Sequence, residues 1–210
     1  MEEFKKLVES KLKNRKFLEI KHSDFKPSAV LMPFFWEDNE IKIILTIRHK
    51  DLKHHRGEIS FPGGKQDDDD KNLIDTALRE TEEEVGIKRD QIEILGRLDD
   101  LFTITKYIIT PYVGLVKGNF KVNISDAEVH KVIKVPLHIF GENGCFQEET
   151  WEQNKTIYPI YYYYWRRNII WGATAYIMNE FIEIIYNYQP SKLNIKRTDP
   201  SLIKKFFGEK

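Results

Sequence analysis

The chain of 210 residues has a single cysteine, Cys145, which excludes an internal disulfide and any metal site built from clustered thiolates. It lacks a net charge. Lys plus Arg and Asp plus Glu are both 33, so no overall positive field draws it to nucleic acid or membrane, although a local basic patch stays open. It lacks an apolar run near the roughly 18 residues that a membrane span needs. Its opening, MEEFKKLVESKLKNRK, is too charged for a secretory signal, and its end, FFGEK, is not a peroxisomal address. It lacks internal repeats, and its one low-complexity run is Asp67 to Asp70. These absences leave a cytoplasmic protein with no nucleic-acid partner and no membrane partner expected. A hydrophobic fraction of 41% with 31% charge fits one substantial globular core with appendages.

The stretch that is richest in chemistry is GEISFPGGKQDDDDKNLIDTALRETEEEVGI, Gly57 to Ile87. It reads as a strand end, a glycine turn, an acidic loop and a helix. The helix is predicted from Leu73 to Val85, with Asn72 as N-cap, Asp75 three residues on and Gly86 past its end. At about 100° per residue from Leu73, the residues Ile74, Ala77, Leu78, Thr81 and Val85 fall between about 40° and 140°, one face to bury. Glu80, Glu83 and Glu84 cluster on an arc bordering that face, and Glu82 stands apart near 180°. Carboxylates so close repel one another and lose solvation beside a core, which a hard cation such as Mg2+ turns into a binding site. A solvated acidic face is the ordinary alternative for an isolated ExxEE. The Gly63-Gly64 turn weighs against it, because glycine permits the close backbone approach that a phosphate and metal site needs.

Around this stretch the pattern predicts an N-terminal helix with Phe4, Leu7, Val8 and Leu12 as its stripe, which packs on the domain or forms a leader. Ser28 to Trp36 and Ile41 to Ile47 read as a hairpin of core strands, followed by a basic loop from Arg48 to Arg56. Further strands are expected at Gln91–Leu98, Tyr107–Lys117 and Val129–Val135, with Pro111 marking an edge or a bulge. Pro136 to Gln153 reads as an irregular loop with a helical turn. A hairpin around Arg166-Arg167 follows, its tyrosines 161 to 164 facing both ways. A helix over Ala173–Tyr188 buries Ile177, Phe181, Ile184 or Ile185, and Tyr188. The tail, with Leu202, Ile203, Phe206 and Phe207, docks or pairs subunits of a homodimer. The domain limits expected are 1–27 for a helical leader, 28–188 for the main domain and 189–210 for the tail.

Arg79 to Ile87, RETEEEVGI, resembles the end of the Nudix box, G-x5-E-x7-R-E-U-x-E-E-x-G-U, where U is aliphatic. Fourteen residues, not thirteen, separate Gly64 from Arg79, Lys71 falls where the pattern has Glu, and Thr81 replaces an aliphatic residue. The coenzyme A pyrophosphatase branch has the same lengthened loop, with a signature like LLTxRSxxxRxxxGxxxFPGGxxDxxDxSxxxxALRExxEExGL. Ile44 to Ile87 resembles it with no gap: Phe61-Pro62-Gly63-Gly64, Asp67, Asp70, Ala77-Leu78-Arg79-Glu80, Glu83-Glu84 and Gly86 are in register. His49, Lys53 and Asn72 differ. Ile109–Gly114, Glu128–Leu137 and Ile170–Ala175 are similar to later segments of that branch.

The resemblance implies a Nudix fold, an α/β/α sandwich with a mixed β-sheet, and hydrolysis of a diphosphate with Mg2+ or Mn2+. It implies Glu80 and Glu84 as metal ligands, Glu83 as a ligand or a base, and a glycine-turn carbonyl, Gly63 or Gly64, as a further ligand. Arg79 is expected to orient the carboxylates by pairing with Glu83 or the Asp67–Asp70 loop. The base is Glu83 first, with Glu142, Glu148 and Glu149 as alternatives. The implied substrate is coenzyme A or an acyl-CoA, held by Arg48, Arg56, Gly63 and Gly64, with Lys53, His54 and His55 in the same basic loop. The alternatives are another nucleoside diphosphate derivative (ADP-ribose, NADH or a nucleoside triphosphate), a silent nucleotide-binding module, and an RNA-decapping protein. The box retains its carboxylates, which weighs against the module, and the neutral net charge lends the decapping reading no support.

Overall fold

The computed structural model describes residues 1–49, 57–125, 127–142, 144–193, 195 and 199–207. Its strands are β1 (Lys26–Glu37), β2 (Glu40–Arg48), β3 (Ile59–Ser60), β4 (Gly63–Lys65), β5 (Ile92–Arg97), β6 (Leu101–Phe102), β7 (Tyr107–Val116), β8 (Val129–Pro136), β9 (Phe146–Gln153), β10 (Thr156–Trp165) and β11 (Asn168–Trp171). The α-helices are α1 (Glu2–Leu12), α2 (Leu73–Val85), α3 (Gly172–Tyr186) and α4 (Ser201–Phe207). The first eight strands form a mixed sheet with the path β3-β2-β1-β7-β5, and β9 to β11 form a second sheet.

Strand alternation sorts the side chains into two cores. Ala29, Leu31 and Ile44 face α2, where they meet Ala77, Val85 and Tyr112. Met32, Phe34, Ile43 and Leu45 face α1, α3 and β10, where they meet Phe4, Val8, Phe181 and Tyr163. The result is a sandwich with helices on both faces of a mixed sheet. α1 is part of the second core, its Phe4 ring edge-on to Phe34 at 5.2 Å. α4 buries Leu202, Ile203 and Phe206 with Phe25, Phe102 and Tyr158. Among the described residues no helix is long and apolar enough to cross a membrane.

The β1–β2 hairpin turns on Asp38 and Asn39, both with positive φ, as a two-residue turn matched to strand twist requires. Four expectations differ from what is found. Pro111 lies on neither an edge nor a bulge of its own strand: β7 pairs in parallel with β1 on one side and antiparallel with β5 and β6 on the other. Its missing N–H falls where β5 has ended and β6 has not begun, and its carbonyl accepts from Leu98 N. The segment read as a loop with a helical turn after Pro136 has that turn, a 3-10 turn at Leu137–Gly141, but ends in a strand, β9. β9 is polar on both faces, so no period-2 signal marks it, and its pairing with β10 makes it a strand. α3 stops at Tyr186 because Asn187 adopts a left-handed conformation, which leaves Tyr188 exposed outside the helix. In α2, Ile74 is exposed while Thr76 and Glu84 are buried, so the buried face is turned toward the strand that crosses it.

Candidate active site

That crossing strand is β4. It pairs with β1, Ala29 opposite Gly64 and Val30 opposite Gly63, and so lays the glycine turn over α2. α2 starts as the sequence predicts: the Asn72 side chain accepts from Asp75 N, and the helix closes on Gly86 in a left-handed conformation. A side chain at Gly63 has no room, and one at Gly64 fits only if Glu80 moves. A Cβ at Gly63 would come within 2.6 Å of Val30 Cα, and one at Gly64 would collide with the Glu80 carboxylate.

Beneath this turn the acids of α2 are in unequal environments. Glu84 is 3% exposed. Its Oε2 accepts from Gly63 N at 3.3 Å, and its Oε1 lies 3.8 Å from Arg48 Nη1. Burial pushes its carboxyl up to about 8; the Arg48 charge opposes this, and the Glu80 and Glu128 charges add to it. Glu80 is also raised, first by burial, against the pull of Arg79. Glu83 is 58% exposed and bound to Arg79 at 3.1 Å. Glu82 turns away to Lys88 and Arg89.

Arg79 ties the acids to the loop. Its Nε and Nη2 donate to the two oxygens of Asp70, each at 2.9 Å, and Nη1 donates to Glu80 at 2.9 Å and Glu83 at 3.1 Å. Nη2 also reaches the Lys65 carbonyl at 3.2 Å. Asp70 is 4% exposed and held well below the usual carboxylate range, chiefly by the Arg79 fork. It accepts from Thr76 Oγ1 and Asp67 N as well.

Two desolvated, mutually repelling carboxylates beside a glycine turn suit a hard divalent ion, whose charge would lower both carboxyl pKa values. Among the described residues no three His, Cys, Asp or Glu side chains converge as a closed cage. An ion such as Mg2+ takes one or two carboxylates and fills the rest of its shell with water and substrate oxygens.

A NUDIX domain model matches residues 25–159. The chain belongs to the Nudix family. It is 34% identical over 156 residues to a protein of Photorhabdus laumondii subsp. laumondii named uncharacterized Nudix hydrolase NudL, covering 74% of this chain and 83% of that one. Against the protein of the same name from Yersinia pestis the identity is 36%, over 74% of this chain and 78% of the relative. A MutT/nudix family protein from Enterococcus faecalis superposes with a TM-score of 0.47 at 17% identity, over 88% of this chain and 71% of that one, a likeness on which no argument rests. The protein is thus a Nudix hydrolase, of a family that generally uses divalent metal ions.

Of the site residues expected, the Nudix helix and its turn gather Arg79, Glu80, Glu83, Glu84, Gly63, Gly64 and Arg48. Arg56 lies outside the described residues, as do Lys53, His54 and His55. Glu142, Glu148 and Glu149 are tied elsewhere: Glu142 to His138, Glu148 to Ser191 and Lys192 N, and Glu149 to Tyr162. Asp70, in register with the branch signature and one position before the Lys71 that counting on the general box selects, braces Arg79, as expected of the Asp67–Asp70 loop. One residue stands out that the spacing did not single out. Glu128 lies next to the buried pair: Ser125 N donates to the Glu84 carbonyl and His49 N to the Glu128 carbonyl, and the Glu128 charge raises both Glu80 and Glu84. Its only sequence signal is that it opens the Glu128–Leu137 segment.

Proposed function

We propose that this Nudix hydrolase cleaves the diphosphate bond of coenzyme A or its thioesters, releasing 3′,5′-ADP and 4′-phosphopantetheine or its acyl form. What carries this reading is the loop of extra length before Arg79. Its residue Asp70, in register with the branch signature, braces the arginine. Glu80 and Glu84, with a backbone carbonyl of the Gly63-Gly64 turn, would hold the divalent ion, Mg2+ or Mn2+. Bound there, such an ion neutralises phosphate oxygens and lowers the pKa of water.

The rest of the chemistry belongs to the chain. Arg79 fixes the Glu80 and Glu83 carboxylates in one orientation, so no rotamer search precedes the reaction. Arg48 offsets the Glu84 charge, and its partly exposed guanidinium supplies positive charge for a phosphate oxygen. The attacking water forms a new P–O bond as the bridging P–O bond breaks, and the leaving phosphate keeps the electron pair. Glu83, the more exposed acid, accepts the water's proton; Glu128 is the second candidate for that role. The basic loop ending at Arg56 supplies charge for the 3′-phosphate.

The deciding experiment incubates the protein and Mg2+ or Mn2+ with coenzyme A, acetyl-CoA, dephospho-coenzyme A, ADP-ribose, NADH and a nucleoside triphosphate, with products identified by mass. Coenzyme A or its thioester is expected to turn over fastest, giving 3′,5′-ADP. Faster cleavage of ADP-ribose, NADH or the triphosphate would overturn the substrate while leaving the reaction class intact. Replacing Arg56 is expected to weaken coenzyme A more than dephospho-coenzyme A; equal losses remove the 3′-phosphate role.

A further inference from the structure

β2 and β3 pair with Thr46 opposite Ser60. Alternation along β2 sends Leu45 and Ile47 toward the core under α1 and α3, and turns Ile44, Thr46 and Arg48 toward α2. Thr46 is wholly buried, at a position where valine would fill the same space. A buried hydroxyl costs stability unless it is bonded. Among the described residues the Thr46 hydroxyl bonds to Ser60 twice over: Oγ1 donates to the Ser60 carbonyl at 3.3 Å and meets Ser60 Oγ at 3.1 Å, where either oxygen can be the donor. Ser60 itself is only partly buried, so its hydroxyl stands between the buried threonine and the open side of the sheet.

Two connections tie Ser60 to the glycine turn and the buried acid. Along the chain, Phe61-Pro62 lead directly from it to Gly63, whose N–H donates to Glu84 Oε2 at 3.3 Å. Across the strands it is the diagonal neighbour of Arg48, whose backbone N–H donates to the Glu58 carbonyl at 3.0 Å and whose Nη1 lies 3.8 Å from Glu84 Oε1. Diagonal neighbours on one sheet face stand about 7–8 Å apart, within reach of a long side chain. Both routes lead from Ser60 to the same carboxylate.

We propose that Ser60 is a substrate-binding residue, its hydroxyl donating to an oxygen of the diphosphate at the Gly63–Glu84 turn, and that Thr46 is the positioning residue behind it. When Thr46 donates to Ser60 Oγ, that oxygen keeps its own proton for a third group, and a phosphate oxygen beside Arg48 is the acceptor that this site provides. A hydroxyl that accepts one hydrogen bond donates a stronger one. The pair thus adds a directional donor next to Arg48 without adding a charge. The proposal rests on a diphosphate bound at this turn, not on coenzyme A in particular.

The test is calorimetric titration of the full chain, with Mg2+, by α,β-methylene-ADP, whose bridging carbon resists hydrolysis. Ser60→Ala is expected to weaken binding about ten- to a hundredfold, as loss of a hydrogen bond to a charged group does, and Thr46→Val about three- to tenfold. Ser60→Cys, which keeps a weaker donor, should fall between Ser60→Ala and the wild type. Adding Thr46→Val to Ser60→Ala should cause no further loss, because Thr46 acts through the Ser60 hydroxyl; a merely structural threonine costs the same in both backgrounds. Full affinity in Ser60→Ala overturns the contact, and equal losses from Thr46→Val with and without Ser60 overturn the positioning role. If Ser60→Ala does not fold, Ser60→Cys decides, and wild-type affinity in it overturns the contact. So does a wild type that cleaves coenzyme A but does not bind the analogue. If coenzyme A proves not to be cleaved while affinity for the analogue follows Ser60, the substrate reading fails and the Ser60 contact stands.

Discussion

The buried Glu84 and the partly buried Glu180 lie on helices that cover opposite faces of one sheet, and desolvation pushes each carboxyl up to about 8. Their surroundings differ. Glu84 has Gly63 N–H, Arg48 and a second, partly buried acid, Glu80, around it, under a turn in which Gly63 admits no side chain. Glu180 accepts from Asp99 N and from Arg15, which also pairs with Asp99 at 2.8 Å, beside a cavity of about 80 Å³ bordered by Tyr161 and Tyr176. Glu180 is bonded to a cation and a backbone donor, whereas Glu84 has a backbone donor and its cation, Arg48, only at 3.8 Å. A raised pKa alone marks burial. Glu180 is raised too, with Asp99 and Glu183 near it; what sets Glu84 apart is the glycine turn laid over it.

The largest break in this pair is expected from Glu84→Gln, which should lower turnover about 10³-fold with little change in melting temperature. Glu180→Gln should leave turnover within about twofold, because a neutral amide replaces a carboxyl that the fold already favours as neutral. Full activity in Glu84→Gln, read by a product assay at saturating Mg2+, would end its assignment as a ligand. Next comes Gly64→Ala, which forces the Glu80 carboxylate aside and should cost about 10²-fold in turnover for a displacement of about 1 Å. The same substitution at Gly141, where a Cβ meets nothing and the backbone is not left-handed, is the control and should be silent.

A smaller contrast sets the two braced arginines against each other. Asp70→Asn loosens Arg79 and should lower metal affinity or turnover about 10- to 100-fold. Asp99→Asn loosens Arg15 and should cost about 1–3 kcal/mol of stability with activity kept. Equal effects of the two on turnover would show that Asp70 merely holds its loop. The smallest effect is in pH dependence. Both glutamates bind protons in the folded chain at a pH where the unfolded chain, at its ordinary value of 4.5, has released them. The metal-free protein should therefore lose stability as pH rises from about 4.5 to about 8. Mg2+ should restore the part due to Glu84 and leave that due to Glu180, so the melting temperature should gain more from Mg2+ at pH 8 than at pH 5. An equal gain at both would sink the link between Glu84 and the cation.

Much of the site is legible in one dimension because most of it is local. Asn72, Arg79, Glu80, Glu83, Glu84 and Gly86 belong to one helix, whose cap and periodicity place them without help from the rest of the chain. Pairings across the fold were not legible. The offset from Lys71 to Asp70 depends on how the acidic loop folds back, and Glu128 nears the helix only because Asn123 and Ser125 bond to its last carbonyls. β9 carries no hydrophobic alternation and exists by pairing, and Pro111 is tolerated inside the sheet because of a gap between two neighbouring strands.

By itself, then, the sequence determined a capped acidic helix behind a glycine turn, the hairpins around it and the chemistry that such carboxylates support, because capping, periodicity and turn preference act over a few residues. Tertiary structure decided which glutamate is buried, which aspartate holds the arginine and where Ser60 stands. Those outcomes depend on β4 crossing α2 and on strands meeting from distant parts of the chain, and burial and charge are properties of what surrounds a residue in space.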